Sequence, residues 1–207
     1  HRSFAWWGAR TRFQAFKKSS DFFSGDRTLE EGDVFILDTA PIVDGFVGDI
    51  GYTHSLVPHL GLEAAKARLL KFRQDLPGFF SSSLTTAEIW EKVDSETRAS
   101  GFDNIHAMYP FSVLGHRVYK VPFSGMPGLL YPFGFHAYWA GSSRGLLPEL
   151  LSPHHRGEKT GVWAIEPHIG GNGFGAKFEE ILVVDPSDAH RAWWLSDDVP
   201  HMRKFSS

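Results

Sequence analysis

Two kinds of apolar pattern run along this chain. Val34–Asp38 (VFILD), Val162–Ile165 (VWAI) and Phe178–Val184 (FEEILVV) are short, nearly continuous apolar runs, which predicts buried strands. Glu31-Gly32-Asp33 forms a turn ahead of the first, and Asp44-Gly45 is a hairpin signal. The return strand is expected over Phe46–Tyr52, with Gly48 and Gly51 admitting close backbone approach. The second pattern is helical. Gly61–Gln74 carries Leu62, Ala65, Leu69 and Phe72 on one face. Thr85-x-x-Glu88 is a capping box that opens a second helix running to about Ala99, where Gly101 follows as a stop.

Elsewhere the pattern is weaker. Residues 1–30 mix aromatic and basic side chains and predict strand or irregular structure. Residues 121–160 are rich in Gly, Pro, Ser and aromatics, which predicts a long functional loop or lid. The polar end, HMRKFSS, is expected to fray. The chain begins at His1 rather than Met, as a trimmed product would.

The strands carry residues that do not belong in an apolar interior. Asp38 and Asp49 lie in LDTAPIVDGFVGDIGYT with ten residues between them. His116 lies in LGHRVYKVP, Glu166 in WAIEPHIG and Glu179 in GAKFEEILVV. One acid pair comes early and one late, a faint two-fold pattern. Isolated buried carboxylates are strongly disfavoured, and a pair of divalent cations is the simplest compensation. Two ions about 3.5–4 Å apart also activate water for attack on a carbonyl or phosphoryl centre. Strand alternation turns Glu180 to the face opposite Glu179, and a one-residue slip of register would exchange them.

Composition narrows the chemistry. The 207 residues are 42% hydrophobic and 22% charged, as in one ordinary globular domain. A net charge of -3 argues against a nucleic-acid or anionic-membrane surface. No run approaches the roughly 18 apolar residues of a membrane span, so the cytoplasm is the default compartment. With no cysteine there is no disulfide and no thiolate. Oxygen and imidazole ligands remain, and they suit Mn, Co, Fe or Zn.

The ordered set Asp38, Asp49, Gly115-His116, Ile165-Glu166-Pro167 and Phe178-Glu179-Glu180 resembles the pita-bread metallopeptidases, such as methionine aminopeptidase, aminopeptidase P and prolidase. The match runs from residue 31 to 184, about three quarters of the chain. The resemblance implies an α+β pita-bread fold: a curved antiparallel sheet with outer helices and a dinuclear metal centre in the concave middle. By the resemblance, Asp38 binds one ion through both oxygens, Asp49 and Glu179 bridge the two, and His116 and Glu166 bind the second. Manganese is the expected metal, with Co, Zn or Fe as alternatives. The implied domain is a single metallopeptidase-like catalytic unit over residues 1–207, lacking some N-terminal residues of the full fold.

The departures from the family pattern are specific. Its Gly-His-Gly-Ile-Gly reads Gly115-His116-Arg117-Val118-Tyr119 here, and Lys120-Val121-Pro122-Phe123 stands in place of its His-Glu-x-Pro. The histidine usual about 17 or 18 residues before the first Asp would fall near Ser19, Ser20 or Asp21. Only 37 residues precede Asp38.

Further candidates surround the five. Glu166 can accept a proton from the attacking water. His168, two residues on, shares its face if the strand continues and is the first candidate for proton transfer or substrate contact. His106 is a second catalytic candidate, against a plain loop histidine. His136 on the expected lid and Arg117 beside the metal ligand are substrate-binding candidates; Arg117 equally suits a structural ion pair. His54 and the His154-His155 pair are expected in solvent. Trp6, Trp7, Tyr131, Phe133, Phe135, Tyr138 and Trp139 either wall an apolar pocket or pack.

The expected function is metal-dependent hydrolysis of a small peptide near its free amino terminus, at an Xaa-Pro bond by the resemblance, through a hydroxide bridging the metals. A homodimer is admitted, and neither a nucleic-acid nor a membrane partner is expected. The alternatives are a non-peptide substrate, di-iron oxidation, and a binding protein without chemistry.

Overall fold

A computed structural model describes residues 3–120, 147–155 and 157–199. Its organising element is the strand β11, Phe174–Val184, eleven residues long. Around it lie β1 (Phe4–Trp7), β2 (Val34–Thr39), β5 (Ile50–Ser55), β7 (Gly115–Arg117), β8 (Leu150–Leu151) and β9 (Gly161–Ile165). They form one antiparallel sheet in the order β1-β2-β5-β11-β9-β7-β8. The N-terminal part of β11 also pairs with β10 (His168–Gly171), which in turn pairs with β6 (Asp103–Asn104), and its C-terminal part pairs with β12 (Ala192–Trp194). The sheet is curled: β11 changes partners along its length, meeting β5 at Phe178 and Glu179 and β9 from Glu180 onward.

Two helices, α1 (Leu60–Ser81) and α2 (Thr86–Ala99), cover one face. Leu62, Ala65, Leu69, Phe72, Leu76 and Phe80 of α1 are buried in one core cluster with Ile89 and Val93 of α2 and Phe174, Ala176, Phe178, Leu182 and Val184 of β11. Even-numbered residues of β11 therefore face the helices, and odd-numbered ones face the other way. α2 begins at the predicted capping box: Glu88 N–H donates to Thr85 Oγ1 at 3.2 Å and Thr85 N–H to Glu88 Oε2 at 2.8 Å.

The structure departs from the sequence expectations in several places. α1 continues past Gln74 to Ser81 and carries Pro77 inside it. An interior proline costs a helix hydrogen bond, and burial of Leu76 and Phe80 on either side of it offsets that loss. The expected return strand Phe46–Tyr52 is two pieces. β3 (Ile42–Val43) and β4 (Phe46–Val47) make a small hairpin about Asp44 and Gly45, both at positive φ. Gly48 N–H then donates to the Pro41 carbonyl at 2.7 Å, and the chain re-enters the large sheet as β5. β10 and β12 form in segments with no strong apolar alternation, whereas β1 lies where strand or irregular structure is expected. Of the expected loop, residues 121–146 lie outside the described residues, and the remainder contains a short 3-10 turn at Leu147–Glu149 and then β8. Residues 200–207 also lie outside. No helix among the described residues is long and apolar enough to cross a membrane.

Candidate metal centre

Three adjacent strands place the acids in one row. Asp38 on β2 is opposite Gly51 on β5, and Gly51 is opposite Glu179 on β11. Asp49 comes two residues before Gly51, at the mouth of β5. Across the sheet, β7 brings His116 opposite Ala164 of β9, and Glu166 follows the end of β9 with its N–H bonded to the Leu114 carbonyl. Gly51 matters for what it lacks. A Cβ there would lie 3.2 Å from Lys177 Cε and 3.3 Å from both Cβ and Oε2 of Glu179.

Asp49, His116 and Glu179 each offer a ligand atom within 4.8 Å of the others, and they can hold a metal ion. His116 Nε2 lies 3.3 Å from Asp49 Oδ2. Its Nδ1–H donates to the Arg117 carbonyl at 3.1 Å, which orients the ring and leaves Nε2 facing the cluster. Burial alone would depress the imidazole, but the Asp49 carboxylate beside it and the charge of Glu166 raise its pKa to about 9. With a side chain 24% exposed, His116 gives the cluster an approach from solvent.

Asp38, Glu166 and Glu179 itself converge on a residue that the metal-ligand pattern does not include. Lys177 Nζ donates to Asp38 Oδ2 at 2.7 Å, Glu179 Oε2 at 2.8 Å and Glu166 Oε2 at 2.9 Å. Burial opposes its ammonium, yet the three carboxylates raise its pKa well above the ordinary value. Burial likewise pushes Glu179 and Glu166 up, with the like charges of their neighbours adding to it and Lys177 working against it. Lys177 was findable by alternation, because a residue two before Glu179 must share its face.

Glu180 is on the opposite face, where Arg73 of α1 donates through Nε to Oε1 at 3.0 Å and Oε2 at 2.9 Å. His168 is opposite Lys177 across β10 and β11, and it is fully buried. Both its ring nitrogens have protein partners: Nε2–H donates to the Thr11 carbonyl at 2.6 Å, and Tyr109 Oη donates to Nδ1 at 2.7 Å. Burial holds this imidazole well below its usual pKa. The approach of Thr11 depends on Gly175, where a Cβ would meet the Thr11 carbonyl at 1.8 Å. His106 is buried beneath, its Nδ1 accepting the His168 backbone N–H at 3.4 Å. Arg117 donates to the Thr160 and Glu158 carbonyls, lies 3.6 Å from Glu149 and stacks 4.5 Å over Trp163. Trp6 packs among Phe13, Phe16, Phe22 and His168, while Trp7 lies under Arg10 and Arg27. His155, expected in solvent, is buried, with Nδ1 3.1 Å from the Leu150 carbonyl. His136, Tyr131, Phe133, Phe135, Tyr138 and Trp139 lie outside the described residues.

Solved structures share this fold over most of the chain. The X-Pro aminopeptidase of Thermotoga maritima matches with a TM-score of 0.63 at 16% identity, over 96% of this chain and 47% of that one. The prolidase of Pyrococcus furiosus matches with a TM-score of 0.61 at 16% identity, over 97% and 50%. The fold is the pita-bread fold. The methionine aminopeptidase of Rickettsia prowazekii shares it, with a TM-score of 0.54 at 14% identity over 83% of this chain and 67% of that one. The chain thus spans about half the length of the first two. No protein-family model and no curated protein matches the chain. In this pita-bread chain, the metal-competent trio lies at the open edge of the acid row and the lysine fills its interior.

Proposed function

We propose that the chain is a metal-dependent hydrolase of short peptides, acting near a free amino terminus and most readily at Xaa-Pro bonds. The observation that carries this reading is the convergence of Asp49, His116 and Glu179 on one point, beside two further buried acids, on a fold shared with peptidases. A divalent ion held there supplies Lewis acidity to water and to the scissile carbonyl. Asp49 and Glu179 would give the site its negative charge, and the Arg117 carbonyl fixes the His116 ring with Nε2 toward the site, where a bound ion would take the place of the Nε2 proton. Glu166, raised by burial, is suited to take a proton from the attacking water and return it to the leaving amine as the C–N bond breaks. His168, with both nitrogens engaged, is assigned the positioning of β10 against residues 8–12 rather than proton transfer.

The test is hydrolysis of an Xaa-Pro and Xaa-Ala dipeptide panel by metal-stripped protein, before and after adding Mn, Co, Zn or Fe(II). Activity should return with metal and be lost in Asp49→Ala and His116→Ala. Equal hydrolysis in excess chelator would remove this reading.

A further inference from the structure

We propose that the ammonium of Lys177 is a resident cation that takes the place of one of the two ions the acid row would otherwise hold, so that the centre binds a single metal ion at Asp49, His116 and Glu179. This rests on the metal-dependent reading above and specifies its stoichiometry.

Four observations support it. An ammonium has three N–H donors, and here each is used by an oxygen of a different carboxylate, Asp38, Glu166 and Glu179, at 2.7–2.9 Å. The side chain is 1% exposed, so the charge is committed to these partners rather than to water. Its backbone is fixed as well: Thr53 Oγ1 accepts from Lys177 N–H at 2.8 Å and donates to the Lys177 carbonyl at 3.1 Å. Finally, the aliphatic stem passes the notch at Gly51, where any larger residue would press on Cε. Asp38 and Glu166 thereby turn their inner oxygens to the lysine, and neither belongs to the metal-competent trio. A second divalent ion among the same three oxygens would lie against the ammonium and be repelled by it. Lysine suits this place because its charge is compact and its stem flexible, whereas a planar guanidinium cannot put three donors on three converging oxygens.

The experiment counts Mn2+ bound to the metal-stripped protein by equilibrium dialysis, with electron paramagnetic resonance of the bound ion. The wild type should bind one Mn2+ per chain and show an uncoupled spectrum. Lys177→Met, which keeps the stem and removes the charge, should bind two and show the broadened spectrum of a coupled pair. If Lys177→Met does not fold, Lys177→Gln serves as the second neutral variant with the same expectation. Two ions in the wild type would overturn the inference while leaving a metal-dependent hydrolase intact. One ion in both the wild type and a folded neutral variant would also overturn it. No ion in any form would overturn the metal-dependent reading itself, and this inference with it.

Discussion

The two faces of β11 carry buried charge in opposite ways. Toward the helices, both carboxylate oxygens of Glu180 accept from Arg73, which also donates to the Ser196 carbonyl at 2.9 Å and lies 3.9 Å from the exposed Asp197. Toward the concave side, Asp38, Asp49, Glu166 and Glu179 gather around one lysine and one histidine. The first face is closed and balanced; the second has more acid than base and a partly exposed histidine at its edge. Burial of charge alone therefore does not single out the proposed metal site, since the Arg73 pair is as buried as the acid row. Its excess of acid does, because uncompensated carboxylates are tolerable where a cation is to be bound.

The largest effect should come from breaking the unbalanced face. Glu179→Ala or Asp49→Ala removes a direct ligand and should weaken metal binding by more than about 100-fold, the upper range for merely supporting groups. Dialysis against Mn2+ together with peptide hydrolysis measures it. On the balanced face, Arg73→Met removes the guanidinium from beside the buried Glu180 and should cost about 3–5 kcal/mol in urea unfolding. The double variant Arg73→Met, Glu180→Met should recover most of that loss, and its metal affinity should equal the wild type's. A change in metal affinity there would mean that the two faces are not independent.

A third test sharpens the comparison through pH. His106 is buried and its pKa is lowered to about 3, mainly by burial, against an ordinary 6.5. Above pH 6.5 the folded and unfolded forms are both neutral. Below it the unfolded chain takes up a proton that the folded chain excludes, so stability falls from about pH 6.5 down toward about 3. By pH 5 the loss should be about 2 kcal/mol. His106→Asn should reduce that slope, with His168 and His155, both also lowered by burial, among the groups that sustain the rest. The smallest effect lies far from both faces: Thr85→Ala removes the capping box of α2 and should cost about 1 kcal/mol, with no change in metal binding.

What the sequence made legible was local or ordered. The capping box of α2 needs only Thr85 and Glu88, and the structure has it. The strand-borne acids announced a site because their burial needs compensation. The alternation of β11 separated Glu179 from Glu180, and the same alternation would have joined Lys177 to Glu179. Lysine is ordinarily a solvated surface residue, so its burial was evident only once β2, β9 and β11 were folded around it. The partner of Glu180 lies 107 residues away, and those of His168 come from Thr11 and Tyr109. Such contacts depend on topology, which periodicity does not carry. Pro77 hid about the last two turns of α1 because local propensity argues for a stop there, and the buried Leu76 and Phe80 override it.

The central claim, that the unbalanced face is a cation site and the balanced one is not, is tested most directly by the change in thermal midpoint on adding Mn2+ to four proteins: wild type, Glu179→Gln, Asp49→Asn and Arg73→Met, Glu180→Met. At an ion concentration 100-fold above Kd, a bound metal should raise the midpoint by roughly 5–10 °C in the wild type and in the Arg73, Glu180 double variant. Glu179→Gln and Asp49→Asn should show no shift. A wild-type shift retained in Glu179→Gln, or lost in the double variant, would contradict the account.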